Sequence, residues 1–297
     1  MISARPEGGP PEFLVIGHAV QDLLSEEDHA SWRLGGAAVY ASVLARNLGL
    51  RTAVLTSAGS EMDLAGALPG IEVVCVPSAA STQFRNVYGT DGRRQFIPRR
   101  AAPITVEHLP GEWRETPVVL LGPVVGEVDP GLAACFPSAV LGAGAQGWLR
   151  EVAPDTSVRA VLPEDWNAGP VLRHAKALFL SDEDVPPQAV PAALELWSGI
   201  VETVAFTRGY NGADVCHKGE WRHIDAFPAR AVDPTGAGDV FATGFLVSFH
   251  ETGDAWEATR FGACAASFVV EGEGVSAVPD RDQIQRRLER YPDIIAK

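Results

Sequence analysis

The sequence predicts an α/β fold in which helices cover a mostly parallel sheet and a small second sheet is inserted. Three observations carry this. Short apolar runs that suit buried strands alternate with helically spaced segments along most of the chain. Between about residues 72 and 98 that alternation stops, and three strand-like runs follow one another with no helix between them. At 231–246 a glycine-rich turn, DPTGAGD, leads straight into an apolar helix.

Residues 1–11 are rich in Gly and Pro and are expected to form a flexible tail before a domain spanning 12–297. FLVIG (13–17) reads as a buried strand, AAVYASVLARNLGL (37–50) as a helix stopped near Gly49, and TAVLTSAG (52–59) as the next strand. IEVVCVP (71–77), TQFRNVY (82–88) and RRQFIP (93–98) follow, the last two joined by the turn sequence GTDG. Their polar–apolar alternation suits a sheet with one wet face, a lid at about 72–100. Strands are then expected at 118–122, 138–144, 177–181 and 203–207, a hairpin at 213–224 turning at Lys218-Gly219, and helices at 237–250, 254–271 and 280–290.

Composition narrows the function. A net charge of −14 repels phosphate backbones at long range, which argues against nucleic-acid binding. Any phosphate must then be held locally. Four cysteines stand at least 48 residues apart, and neither CxxC nor HExxH occurs, which argues against a structural zinc or redox motif. The first residues lack the apolar core of a signal peptide, and the longest apolar stretch, 118–126, is far short of a membrane span. A cytoplasmic protein with no membrane partner is expected. GxxxxGK[ST] and GxSxG are both absent, so neither a P-loop enzyme nor a serine hydrolase is indicated.

The chemistry points to DPTGAGD. N–H groups of Gly236, Ala237 and Gly238 at the positive end of a helix make an anion hole. Asp239 beside them is poor at holding an anion but well placed to take the proton of a hydroxyl next to a phosphoryl group.

Asp233-x-Thr235-Gly236-Ala237-Gly238-Asp239 resembles the second signature of the ribokinase (PfkB) family of carbohydrate kinases. Other landmarks appear in order over roughly 13–290. FLVIGHAVQD places Asp22 where the family binds substrate hydroxyls, and LGGAAVYAS places Gly35 and Gly36 at its di-glycine. TRGYNG (Thr207, Gly209, Gly212) resembles the loop that packs on the nucleotide. ATRFGACAAS (Gly262, Ala263) lies where a helix closes the adenine pocket, and the inserted sheet corresponds to the sugar-covering lid, with Arg85 and Asn86. The resemblance implies a ribokinase-like three-layer α/β/α sandwich that transfers the γ-phosphoryl group of ATP to a sugar, inositol or nucleoside. It further implies Mg²⁺, a potassium site near Asp233 and Thr235, and a monomer or lid-mediated homodimer.

Two departures stand out. Tyr40 replaces an Asn common after the di-glycine, which removes a polar contact and argues against plain ribose. The N-x-x-E pair that arranges magnesium-bound water becomes Ser181 and Asp184, one carbon shorter. The strings GGAAVYAS, GAQGWLR and VDPTGAGD resemble the branch that contains plant myo-inositol 3-kinase. Two rival readings accompany this one. VLGAGAQGWL holds a G-x-G-x-x-G at Gly142, Gly144 and Gly147, with acidic residues about 20 positions on, as an NAD-binding oxidoreductase would require. The Ser181/Asp184 departures also admit a weakly catalytic or non-catalytic sugar- or nucleoside-binding relative. His18, after the first strand, reads as a satisfied polar residue ahead of a cleft residue.

Overall fold

The computed structural model describes residues 9–24, 31–89 and 92–297. The chain enters through β1 (Phe13–Ile16), β2 (Val20–Leu23), β3 (Trp32–Gly35), α1 (Ala37–Asn47) and β4 (Thr52–Ala58). A single turn α2 (Leu64–Ala67) leads to β5 (Glu72–Pro77), β6 (Thr82–Gly89) and β7 (Gly92–Arg99). β8 (Val118–Leu121) and β9 (Val140–Gly144) follow, then a short hairpin of β10 (Arg150–Val152) and β11 (Val158–Ala160). After α3 (Gly169–Leu172) come β12 (Ala177–Ser181), α4 (Val190–Ser198), β13 (Thr203–Thr207), β14 (Ala213–His217) and β15 (Glu220–Ile224). Three helices close the chain: α5 (Ala237–Thr252), α6 (Ala255–Val269) and α7 (Arg281–Arg290).

Nine strands form one sheet in the order β15-β14-β13-β12-β9-β8-β1-β4-β5, parallel except for the β13–β14–β15 meander at one edge. Its period-2 pattern splits the core in two. Phe13, Val15, Val54, Leu120, Phe179 and Ala205 face α1, α5, α6 and α7. Leu14, Ile16, Leu55, Val119, Leu178 and Val204 face the other way, onto Trp113, Phe136, Trp197 and the helical turns around them. The result is the expected three-layer sandwich. The chain builds outward from β1 toward β5 on one side and from β8 on the other. The strand order therefore reverses at β1/β8, where open α/β sheets form a crevice at their carboxyl ends.

The second sheet has four strands in the order β3-β2-β6-β7. Two boundaries differ from the sequence reading. β5 pairs in parallel with β4, Ala53 opposite Glu72 through Ala58 opposite Pro77, so it is the edge of the main sheet and not part of the lid. β2 and β3 belong to the lid, so Asp22 lies on a lid strand and not on the continuation of β1. β5 looked like a lid strand because no helix separates it from β6, and as an edge strand it is half wet. Of the expected N-terminal tail only residues 9–11 are described, and Pro11 is already buried. The turn residues Thr90 and Asp91 lie outside the described residues. The Lys218-Gly219 turn carries positive φ at both positions, 51° and 85°, as a two-residue hairpin needs. No described helix is long and apolar enough to cross a membrane.

Candidate active site

The turn before α5 is built around Gly236, the N-cap, in the left-handed region at φ 81°. A Cβ there would collide with the ring of Tyr40, which is 1% exposed and projects from the first turn of α1. The aromatic ring is thus the floor on which the turn rests, so Tyr40 does steric work that the sequence reading did not assign to it. The Ala237 N–H donates to the Pro234 carbonyl at 3.2 Å, which takes one of the three expected anion-hole donors into the turn itself. Gly238 is exposed, with open space beside it.

Asp239 is partly buried in the first turn of α5. Loss of water, then the charge of Asp184, and last that of Asp22, push its carboxyl up to about 7, against the pull of Arg150. Asp184 is buried and rigidly held: Oδ2 accepts from the Ser181 N–H at 2.8 Å and the Ser181 hydroxyl at 2.9 Å, and Oδ1 accepts from Gln146 Nε2 at 3.1 Å. Ser181 therefore caps the shorter carboxylate and fixes its direction. Gln146 and Arg150 were not singled out from sequence. Both lie in GAQGWLR, directly after β9, where a strand end faces the crevice.

Across the cleft stands Asp22, opposite Arg33 in the antiparallel β2–β3 ladder and therefore on the same face. A Cβ on Gly35 would strike Asp22 Oδ2, so Gly35 is the space in which that carboxylate sits. Gly36, the N-cap of α1 at φ 88°, packs against the His18 carbonyl and Val20. Burial, opposed by Arg33 and assisted by Asp233, raises the Asp22 carboxyl to about 6. Its Oδ2 and the Tyr40 hydroxyl are buried with no hydrogen-bond partner among the described residues. Buried polar atoms are almost always paired, and these two unpartnered oxygens stand in one cleft. Arg33 Nη2 donates to Asp233 Oδ2 at 2.6 Å, and Asp233 Oδ1 accepts from the Thr235 N–H at 3.0 Å and the Thr235 hydroxyl at 2.6 Å.

The lid residues divide. Arg85 is half-buried, its guanidinium 4.7 Å from the centroid of the Phe96 ring. Asn86 is exposed, accepts from Gln95 Nε2 at 3.1 Å, and as the next residue of the strand points to the opposite face. The β2–β6 register sets Asp22 beside Phe84, so Asn86, two residues on, lies on the Asp22 face of the lid and Arg85 on the other. Ser181 and Thr207 are register partners at the carboxyl ends of β12 and β13, and Gly209 and Gly212 shape the following 3₁₀ turn. Gly212 is pressed against the Ile224 carbonyl. Gly262 is buried at the α5–α6 crossing, where a Cβ would lie 2.7 Å from the Phe241 carbonyl oxygen. It serves helix packing there, and Ala263 beside it is half-buried.

The G-x-G-x-x-G segment is also a packing device. A Cβ on Gly142 would meet Leu246 at 2.6 Å, and Gly147 abuts the Pro123 backbone. The segment runs into a 3₁₀ turn (Gln146–Leu149) and then β10, so it lacks the helix that a dinucleotide pyrophosphate sits on. His18 is fully buried, with Nε2 2.9 Å from the Ala102 carbonyl oxygen and Nδ1 2.8 Å from Thr82 Oγ1, a satisfied structural histidine. Glu127, also missed from sequence, accepts from the backbone N–H groups of His18, Val124 and Val125 at 2.8–3.0 Å and welds the end of β1 to the loop after β8.

The arrangement has relatives. A model of the pfkB family carbohydrate kinases matches residues 169–281. A ribokinase of Haemophilus influenzae is 39% identical over 102 residues, 34% of this chain and 33% of that protein, so the chain spans about a third of this relative's length. Inositol 3-kinase of Oryza sativa subsp. japonica is 30% identical over 283 residues, 87% of this chain and 69% of that protein. A pyrophosphate-dependent kinase in the ribokinase family, solved as a sulfate complex, superposes with a TM-score of 0.77 at 22% identity, covering 93% of this chain and 99% of the other. Signature, fold and an alignment that runs through nearly all of the chain agree: it belongs to the pfkB family of carbohydrate kinases.

Proposed function

We propose that the protein is an ATP-dependent kinase that phosphorylates a hydroxyl of a small polyhydroxylated acceptor, with inositol as the foremost candidate. The observation that carries this is the pair of buried, unpartnered oxygens, Asp22 Oδ2 and Tyr40 Oη, in one cleft with Asp239. A carboxylate aimed into a dry cleft asks for a hydroxyl donor, and a polyol supplies several. Tyr40 in place of an amide removes a polar contact and so argues against plain ribose. The rice inositol 3-kinase adds a specific acceptor to test.

In this reading Asp22, seated over Gly35, orients the acceptor. Asp239, held near 7, takes the proton of the attacking hydroxyl, the pKa range in which a base works best at neutral pH. The amides of Gly236 and Gly238 meet the charge that gathers on the transferring phosphoryl oxygens. The mutually repelling carboxylates of Asp184 and Asp239 would hold the water shell of the magnesium that accompanies ATP, which would supply charge neutralisation. Ser181, Thr207, Gly209, Gly212 and Ala263 would face the nucleotide.

ADP release with MgATP and a panel of myo-inositol, ribose, fructose and adenosine tests this, with pyrophosphate replacing ATP in a parallel series. Turnover is expected with at least one acceptor. Tight binding of an acceptor with no transfer from either donor would show a binding protein instead.

A further inference from the structure

We infer that Arg33 is a built-in cation for the anion-hole turn, and that this protein, resting on the kinase reading above, works without the monovalent cation expected at Asp233 and Thr235.

A monovalent metal ion needs a shell of oxygens with lone pairs free to face it. Asp233 does not offer that shell. Oδ1 is committed to Thr235 through two hydrogen bonds, and Oδ2 takes Arg33 Nη2 at 2.6 Å. The same guanidinium lies 3.7 Å from Glu273 through Nη1, so it spans the turn before α5 and the segment after α6. Gly274, at φ 56°, gives it room: a Cβ there would sit 3.1 Å from Arg33 Cδ. The exposures fit a held charge and not a surface pair, 28% for the Arg33 side chain and 16% for that of Asp233. A potassium ion beside Asp233 would meet a fixed positive charge already in place, so the residues present do not fit it.

The origin of the charge matters as much as its sign. Arg33 lies on β3, a lid strand, 200 residues before Asp233. It stands opposite Asp22, the orphan carboxylate of the cleft. One side chain therefore ties the lid to the turn that carries the anion-hole amides and Asp239. A dissolved ion could neutralise Asp233 but could not connect it to the lid. Arg33 is a positioning residue: it acts on the reaction through Asp233, not by touching the transferred group.

The test compares the parent, Arg33→Met and Arg33→Lys in potassium, sodium and tetramethylammonium chloride at one ionic strength. Two readouts are taken, ADP release with the best acceptor of the panel and the melting temperature without ligands. The parent is expected to turn over within about twofold in all three salts, and to melt at the same temperature in each. Arg33→Met is expected to lose about tenfold or more in kcat/KM in tetramethylammonium, the loss that follows when a partly buried charge-assisted hydrogen bond is removed. It should recover part of that in potassium and melt higher there. Arg33→Lys, which keeps the charge without the fork, should fall between them. Potassium activation of the parent by more than about fivefold would overturn the inference, as would an Arg33→Met variant indifferent to the cation in both readouts. A parent with no turnover under any condition sinks the kinase reading instead, and the melting comparison still decides the question of the cation.

Discussion

Replacing Asp239 by Asn separates a catalytic carboxylate from a structural one. Asn has nearly the same shape but cannot take a proton, so kcat is expected to fall by ~10²–10⁴, about 3–5 kcal/mol of barrier. Binding of ATP and acceptor should be little changed. Stability supplies an independent sign. The Asp239 carboxyl sits at about 7 in the fold, above the unfolded range. Between roughly pH 4 and pH 7 the native state therefore holds a proton that the unfolded chain has released. Its contribution to stability is full at low pH and is lost as pH rises through 7. Asn carries no such titration. The variant should thus be at least as stable as the parent at pH 8, measured by urea unfolding. In the parent, the acidic limb of kcat/KM, which reports the free enzyme, should centre near 7 and fall about tenfold for each pH unit below it. A residue that only favours the N-terminus of α5 predicts the reverse: normal turnover and a stability loss of ~0.3–1 kcal/mol. A variant with kcat within threefold of the parent refutes the assignment.

Other perturbations follow from the same geometry. Asp184→Asn removes the neighbouring charge that helps to raise Asp239, so the acidic limb of kcat/KM should move below 7 even as the rate drops; an unmoved limb would break the proposed coupling. Gly236→Ala sets a Cβ against the Tyr40 ring at φ 81° and should cost at least ~2 kcal/mol of unfolding free energy, read as a lower melting temperature. Tyr40→Phe deletes a buried hydroxyl with no partner, so the free protein should melt no lower than the parent while KM for the acceptor rises several-fold; an unchanged KM would remove Tyr40 from the acceptor site.

Much of this was legible in the chain because its signals are local. The runs at 13–17, 177–181 and 203–207 are continuous and apolar, and each is a central strand of the main sheet. DPTGAGD had one workable conformation, a turn that opens a helix. What stayed hidden depends on distance or on shortness. VQDL and WRLG, the first two lid strands, are four residues each and too short to show a period. The packing role of Gly262 stayed hidden because sequence does not say which face of α6 meets α5. Asn86 was grouped with Arg85 although adjacent strand residues point to opposite faces. The Arg33–Asp233 pair joins residues 200 positions apart, and no local pattern announces it.

His18 holds both feet of the lid, through Thr82 at the start of β6 and Ala102 just past the end of β7. Mechanically, that pins the lid at its feet, and the Ile97 N–H, donating to the Thr156 carbonyl at 2.8 Å, ties β7 again at about the level of Arg85. Eight residues of β6 reach about 26 Å from the pin, whereas Arg85 lies only about 10 Å along it. Bending by about 10° along its length would carry the far end through at most ~4–5 Å and Arg85 through less than ~2 Å. The rim of the cleft can therefore open while the groups nearest the pin hardly leave their places. Displacement measured at the tip overstates how far the chemistry is disassembled, and a probe placed beside Arg85 reports it more faithfully.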